Sequence, residues 1–218
     1  MVESIVLIGG GGHAKSVIDS IKSEGEWNII GILDNLEKVG QNIMGIPIIG
    51  TDDELPMLYK QGVRFAFITI GSIGNVDIRK KLFNKAREIG FDFPNIIDKS
   101  AVIAADIELG IGNFFAKRTV INAGSIIGSQ TIINTGAIVE HDCLIGDFVH
   151  VSPGTVLSGG VKVGNDSHIG TNSTVLQYIN IGNQVLIGAG SVVLQDIRDN
   201  MKGYGNPCKE VGVWKKYI

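Results

Sequence analysis

Three things are scarce in this sequence, and each scarcity removes a class of function. The 218 residues include only two cysteines, Cys143 and Cys208, with no CxxC pair and no histidines clustered beside them. Neither a disulfide framework nor a zinc or other metal site is expected, and both read as reduced packing residues. Charge of one sign is also lacking: 19 Lys and Arg stand against 22 Asp and Glu, a net charge of −3. This argues against nucleic acid or another polyanion as partner. Long apolar runs are missing too, since Ile5–Ile8 falls far short of a signal-peptide core or of the roughly 20 residues of a membrane span. No basic segment precedes it, so the expectation is a soluble, cytoplasmic protein without membrane insertion.

Glycine, by contrast, is abundant: 30 residues, nearly twice the usual share of about 7%. The chain has two textures, with a boundary expected between Phe93 and Ser100 that gives domains of 1–97 and 98–218. In the first, the runs Ser4–Ile8, Ile29–Leu33, Ile46–Ile49 and Phe65–Ile70 are short, β-branched and bounded by Gly or Asp, as buried strands are. Helices are expected between them at Ala14–Lys22, from Thr51 toward Tyr59, and at Asp77–Ile89, where Ile78, Leu82, Phe83, Ala86 and Ile89 form one stripe. Alternation of this kind implies a small parallel α/β sheet.

The second texture is a repeat. Every sixth residue from Ile103 to Val193 is large and apolar, sixteen positions in succession. With apolar residues at 44% of the chain, a chance run of that length has odds on the order of one in half a million. Glycine often follows the anchor, as in Gly110, Gly128, Gly146 and Gly164, and a small residue often stands four places on, as in Ser125, Thr131 and Thr155. Each six-residue step makes one short strand and one turn, three steps close a coil, and residues eighteen apart stack. About five unbroken coils are expected, with Gly112, Asn113, Asn134 and Gly164 supplying corner conformations that a Cβ resists.

Chemistry has to come from polar residues that interrupt this pattern. The sharpest interruption is Glu140-His141-Asp142 within Asn134–Cys143. A carboxylate on one imidazole nitrogen fixes the tautomer and raises the basicity of the other, which suits a general base; a solvated histidine on a polar turn has the same sequence. His150 lies half a coil from His141 and stacks with His168, in a column that either lines a groove or forms an outward ladder. At the N-terminus, strand Ser4–Ile8 runs through Gly9–Gly12 into a helix, a turn that offers N–H groups to phosphate. Gly9, Gly11 and Ala14 match the spacing G-x-G-x-x-A, and Asp34 ends the next strand, where a ribose hydroxyl would bind. A domain of about 95 residues lacks the second half of a nicotinamide site, so a mononucleotide is the better fit. Gly71 and Asn75 are expected at the same edge of the sheet.

Together, Ile8–His13, Leu33-Asp34-Asn35, Ile70-Gly71 with Asn75 and Ile78–Lys81, Asn134–Cys143, Phe148–Ser152 and Gly205–Lys209 resemble the bacterial sugar O- and N-acetyltransferases of the hexapeptide-repeat superfamily. These include sialic acid O-acetyltransferases and UDP-4-amino-sugar N-acetyltransferases. The resemblance implies a small Rossmann-like α/β domain followed by a left-handed parallel β-helix. It also implies a homotrimer with acetyl-CoA in the groove between subunits. It makes His141 the base and Asp142 the residue that raises its basicity. Gly11, Gly12, His13, Asp34, Asn35, Gly71 and Asn134 fall to the nucleotide-sugar acceptor, and His150, Gly159, Thr171, Ala189 and Lys209 to acetyl-CoA. The activity implied is N-acetylation of a nucleotide-linked 4-amino-4,6-dideoxy sugar for a bacterial surface glycan or glycoprotein. O-acetylation of a sialic acid and a non-catalytic trimeric nucleotide-binding protein are the alternatives.

Overall fold

In the computed structural model, which describes residues 2–214, Cα packing separates two units. One holds the chain up to Gly71 together with Asp77–Lys99, and the other holds Ser72–Val76 and the chain from Ser100.

The first unit runs β1 (Glu3–Ile8), α1 (Gly12–Glu24), β2 (Trp27–Leu33), β3 (Asn42–Ile43), β4 (Ile46–Gly50), α2 (Leu55–Lys60), β5 (Phe65–Ile68) and α3 (Asp77–Ile89). Its sheet has the order β3-β4-β2-β1-β5, all parallel except β3 on β4. Central position explains the apolar run: Ile5, Val6, Leu7 and Ile8 of β1 are all buried, as a strand covered on both faces must be. Because β2 and β5 lie on opposite sides of β1, the chain changes direction there, and a crevice opens at the carboxyl ends of these strands. Helix α1 begins at Gly12, two residues earlier than the apolar pattern indicated, and Thr51 caps the next turn by accepting from the Asp53 N–H. The α3 stripe holds at Leu82 and Ala86 but not at Ile78, which is 55% exposed.

The second unit is a left-handed parallel β-helix. Sixteen two-residue strands run from Val102–Ile103 to Val192–Val193 without an excursion loop, and in each the anchor is the second, inward residue. Each strand as far as Thr174–Val175 pairs with the strand eighteen residues on, as Ile121 does with Val139 and Ile133 with Val151, giving a prism of three flat faces. The first face begins at Val102–Ile103, the second at Glu108–Leu109 and the third at Phe114–Phe115. The antiparallel pair Met201–Tyr204 and Lys209–Val213 extends the third face.

The corners correct the sequence reading. Of Gly112, Asn113, Asn134 and Gly164, only Gly112 has a positive φ; the left-handed corners also include Arg118, Gln130, Asp142, Phe148, Asp166, Asn172, Tyr178 and Gln184. Gly164 is required for a different reason. A Cβ there would lie 2.6 Å from the Gly182 carbonyl carbon and 2.7 Å from the Asn183 nitrogen, so the glycine lets successive coils stack.

Candidate active site

His141 follows the first-face strand Ile138–Val139 at the corner leading to the second face. Asp142 occupies the left-handed position there (φ 60°), and its Oδ2 lies 2.8 Å from His141 Nδ1. A carboxylate only accepts, so this contact places the ring hydrogen on Nδ1 and leaves a lone pair on Nε2. One coil on, Gly159 faces that nitrogen: a Cβ at 159 would stand 2.5 Å from Nε2. One coil back, a Cβ at Gly124 would stand 2.6 Å from Asp142 Oδ1. Two glycines thus leave room for the pair, while backbone bonds from Asp142 N–H to Ala123 and from Gly160 N–H to the His141 carbonyl hold the corner. The imidazole remains 56% exposed. Cys143, two residues on, points inward, is fully buried and donates to the Ser158 carbonyl. Burial pushes its thiol up to about 11, so it is no nucleophile at neutral pH.

The other histidines of the repeat lie elsewhere. His150 and His168 stack on the third face, 9% and 8% exposed, with ring centroids 4.8 Å apart. The Asn134 amide donates to His150 Nε2 (3.1 Å), and His150 Nδ1–H donates to the Ser72 carbonyl (2.7 Å), so both ring nitrogens are engaged. His168 contacts Ser152 Oγ, and burial, followed by neighbouring His150, lowers it to about 3. The column is therefore nearly closed to solvent, and His168 is neutral at physiological pH. Thr171 and Ala189 stack, exposed, at the corner between third and first faces, and Lys209 is exposed at the start of the last strand. The structure thus brings Gly159 to His141, but sets His150, Thr171 and Ala189 on other parts of the prism. Asn75, expected at the sheet edge, belongs to the segment Ser72–Val76 that packs with the second unit, where Trp214 Nε1–H donates to the Gly74 carbonyl.

In the first unit, the crevice gathers most of the residues read as acceptor-binding. Gly11 and Gly12 are exposed with open space around them, and no side chain caps α1, so its first N–H groups face outward. His13 packs against Gly71, where a Cβ would be 3.5 Å from His13 Cβ. Asp34 accepts from the Gly10 N–H (2.6 Å), the Asn35 N–H (2.7 Å) and Lys38 (3.0 Å). Burial raises its carboxyl pKa, but these donors outweigh burial and hold it below the usual range. Behind it a pocket of about 240 Å³ runs from Gly9 and Asp34 to Ile78 and Lys81 of α3, with Asp52 also in its wall. Arg79, buried on α3, donates to the Ile70 carbonyl and steadies the wall on that side. The sequence reading missed Asp52, Ile78 and Lys81 as pocket residues. Asp52 fell within the helical segment expected from Thr51 toward Tyr59, and Ile78 on the apolar stripe of α3.

The N-terminal residues 4–86 match the model of the PglD N-terminal domain, and residues 142–177 match that of the bacterial transferase hexapeptide (six repeats). A variant of perosamine N-acetyltransferase from Caulobacter crescentus, in complex with CoA and GDP-perosamine, is 40% identical. The alignment covers 97% of this chain and 98% of that one, with a TM-score of 0.91. The chain belongs to the hexapeptide-repeat sugar acetyltransferases. A second member, the acetyltransferase domain of PglB from Neisseria gonorrhoeae FA1090 in complex with acetyl coenzyme A, is 34% identical over 96% of this chain and 99% of that one, with a TM-score of 0.89. WeeI from Acinetobacter baumannii AYE, at 23% identity over 96% of this chain and 100% of that one, shares the fold (TM-score 0.85). In this sugar acetyltransferase the N-terminal match spans β1 to β5 of the first unit and most of α3, and the hexapeptide match covers the two coils that begin at Asp142. Among the described residues no group of His, Cys, Asp and Glu is placed to hold a metal ion, and no helix is long and apolar enough to cross a membrane.

Proposed function

We propose that this acetyltransferase moves the acetyl group of acetyl-CoA onto the amino group of a nucleotide-linked amino sugar, of the 4-amino-4,6-dideoxy type, with His141 as general base. Its product serves the synthesis of a bacterial surface glycan or glycoprotein. The observation that carries it is the His141–Asp142 pair, whose Nδ1 contact turns the Nε2 lone pair toward the glycine at 159. Its family context supports the choice of substrates: the Caulobacter relative is in complex with CoA and GDP-perosamine, and the Neisseria domain with acetyl coenzyme A.

Acetyl-CoA supplies an electrophilic thioester carbonyl. As the sugar amine attacks it, Nε2 takes the amine proton, Asp142 stabilises the resulting imidazolium, and the CoA thiolate leaves. Gly11, Gly12 and His13 hold the diphosphate end, Asp34 and Asn35 the ribose, and Gly71 borders the sugar. Gly159 lies beside the thioester. Thr171 and Ala189, with Lys209 toward the far end, lie on another corner from Gly159, so one CoA meets both sets when two prisms of a homotrimer face each other.

A thiol-release assay with acetyl-CoA against UDP- and GDP-linked 4-amino sugars, free sialic acids and serine, on wild type and His141→Ala, tests the reading. Turnover of a nucleotide amino sugar that drops about 10²- to 10⁴-fold in the variant is expected for loss of a general base. Turnover confined to a free sialic acid would replace N- by O-acetylation, and the absence of any turnover would favour a non-catalytic protein.

A further inference from the structure

The pocket behind Asp34 carries more polar chemistry than a sugar and two phosphates use. With diphosphate at the start of α1 and ribose at Asp34, the order β4-β2-β1-β5 directs the base past the end of β2, toward the segment that follows β4. Along that path the pocket, about 240 Å³ in volume, has Leu33, Ile78 and Leu82 among its apolar lining residues. Two charged groups also line it. Lys85 binds Asp52 Oδ2 at 2.6 Å and Asp53 Oδ1 at 2.8 Å, which holds the Asp52 side chain in place. Lys81, one turn before Lys85 on α3, lines the same pocket and makes no hydrogen bond among the described residues.

We infer that the pocket selects guanine, with the Asp52 carboxylate accepting from the ring N1–H and the 2-amino group and Lys81 donating to O6. The inference rests on the crevice being the nucleotide site. A carboxylate offers acceptors only, and a lysine donors only. Guanine alone among the common bases sets two adjacent donors beside an acceptor on its Watson–Crick edge. Uracil presents one N–H between two carbonyl oxygens, so a carboxylate that meets the N–H also meets a carbonyl lone pair. Adenine and cytosine place a ring nitrogen acceptor where guanine has N1–H. A desolvated acceptor facing another acceptor forfeits its bond and gains a repulsion, which is how polar sites reject near-isosteres.

Calorimetric titration of the full-length protein with GDP, inosine diphosphate and UDP tests the assignment. GDP should bind at least about tenfold more tightly than UDP, with inosine diphosphate, which lacks the 2-amino group, in between. Asp52→Asn should weaken GDP by about tenfold and leave UDP unchanged, and Lys81→Met should narrow the same ratio. UDP binding as tightly as GDP, or Asp52→Asn weakening both by one factor, overturns guanine selection and leaves the nucleotide site standing. If none of the three binds the wild type, the nucleotide reading falls and guanine selection with it.

Discussion

A base removes a proton only if its lone pair faces the donor, and at His141 that condition is set by an absent side chain. Gly159 leaves the space that Nε2 occupies: its Cβ would stand 2.5 Å from Nε2 and 2.6 Å from Cε1. Gly159→Ala should therefore rotate the imidazole away from Asp142. The ring is 56% exposed and free to move outward, so the fold should survive with a melting temperature within about 2 °C of wild type. Misplacement of the base should lower kcat by about ten- to a hundredfold. Steady-state kinetics beside a thermal melt check this, and an unchanged kcat would mean that Nε2 is not the working nitrogen. The neighbouring letters Glu140-His141-Asp142 already suggested a histidine held by a carboxylate. They did not show which nitrogen is held, or that the partner is Asp142 rather than Glu140. His150 was still less legible, because its partners Ser72 and Asn134 stand 78 and 16 residues away.

At the scale of the element, the six-residue period fixes nearly everything about the coil except why its glycines are there. All sixteen anchors face inward because each two-residue strand has one inward and one outward position, and a period of six returns the same phase to every face. Glycine, however, does two jobs that read alike in sequence. At Gly136 it occupies a left-handed corner (φ 67°) with nothing within 4 Å of a Cβ. At Gly164 it has no such φ, and the backbone of the next coil fills the Cβ position. Gly136→Ala should cost about 1 kcal/mol, the penalty of a left-handed alanine. Gly164→Ala should cost about 2–3 kcal/mol, because two coils must part to admit the methyl group. Urea denaturation of both variants checks the order, and equal midpoints would mean that the coils part freely. In the first unit the same kind of ambiguity made Ile78 look like core. Helical period placed it on the buried stripe, but α3 begins beside the crevice, where that stripe faces the pocket instead of the sheet.

At the scale of the whole molecule, the proposed acetyl-CoA site draws on residues from separate corners. His141 and Gly159 lie at the corner between first and second faces, Thr171 and Ala189 at the corner between third and first. The face between these corners presents Val120, Ile138, Val156 and Val192 outward, only partly covered, a β-branched column suited to burial against a second prism. In the proposed homotrimer, a closed ring of three, each site would combine the His141 corner of one subunit with the Ala189 corner of the next. His141→Ala and Ala189→Trp should each be inactive alone, the first for want of a base and the second because an indole fills the groove. Co-expressed in equal amounts, the two chains should recover about a third of wild-type activity in the mixed ring, since one interface in three pairs an intact His141 with an intact Ala189. The measurement is thiol release by the mixed oligomer, isolated through different tags on the two chains. A site built within one prism predicts no recovery, because every chain in the mixture carries one of the two lesions.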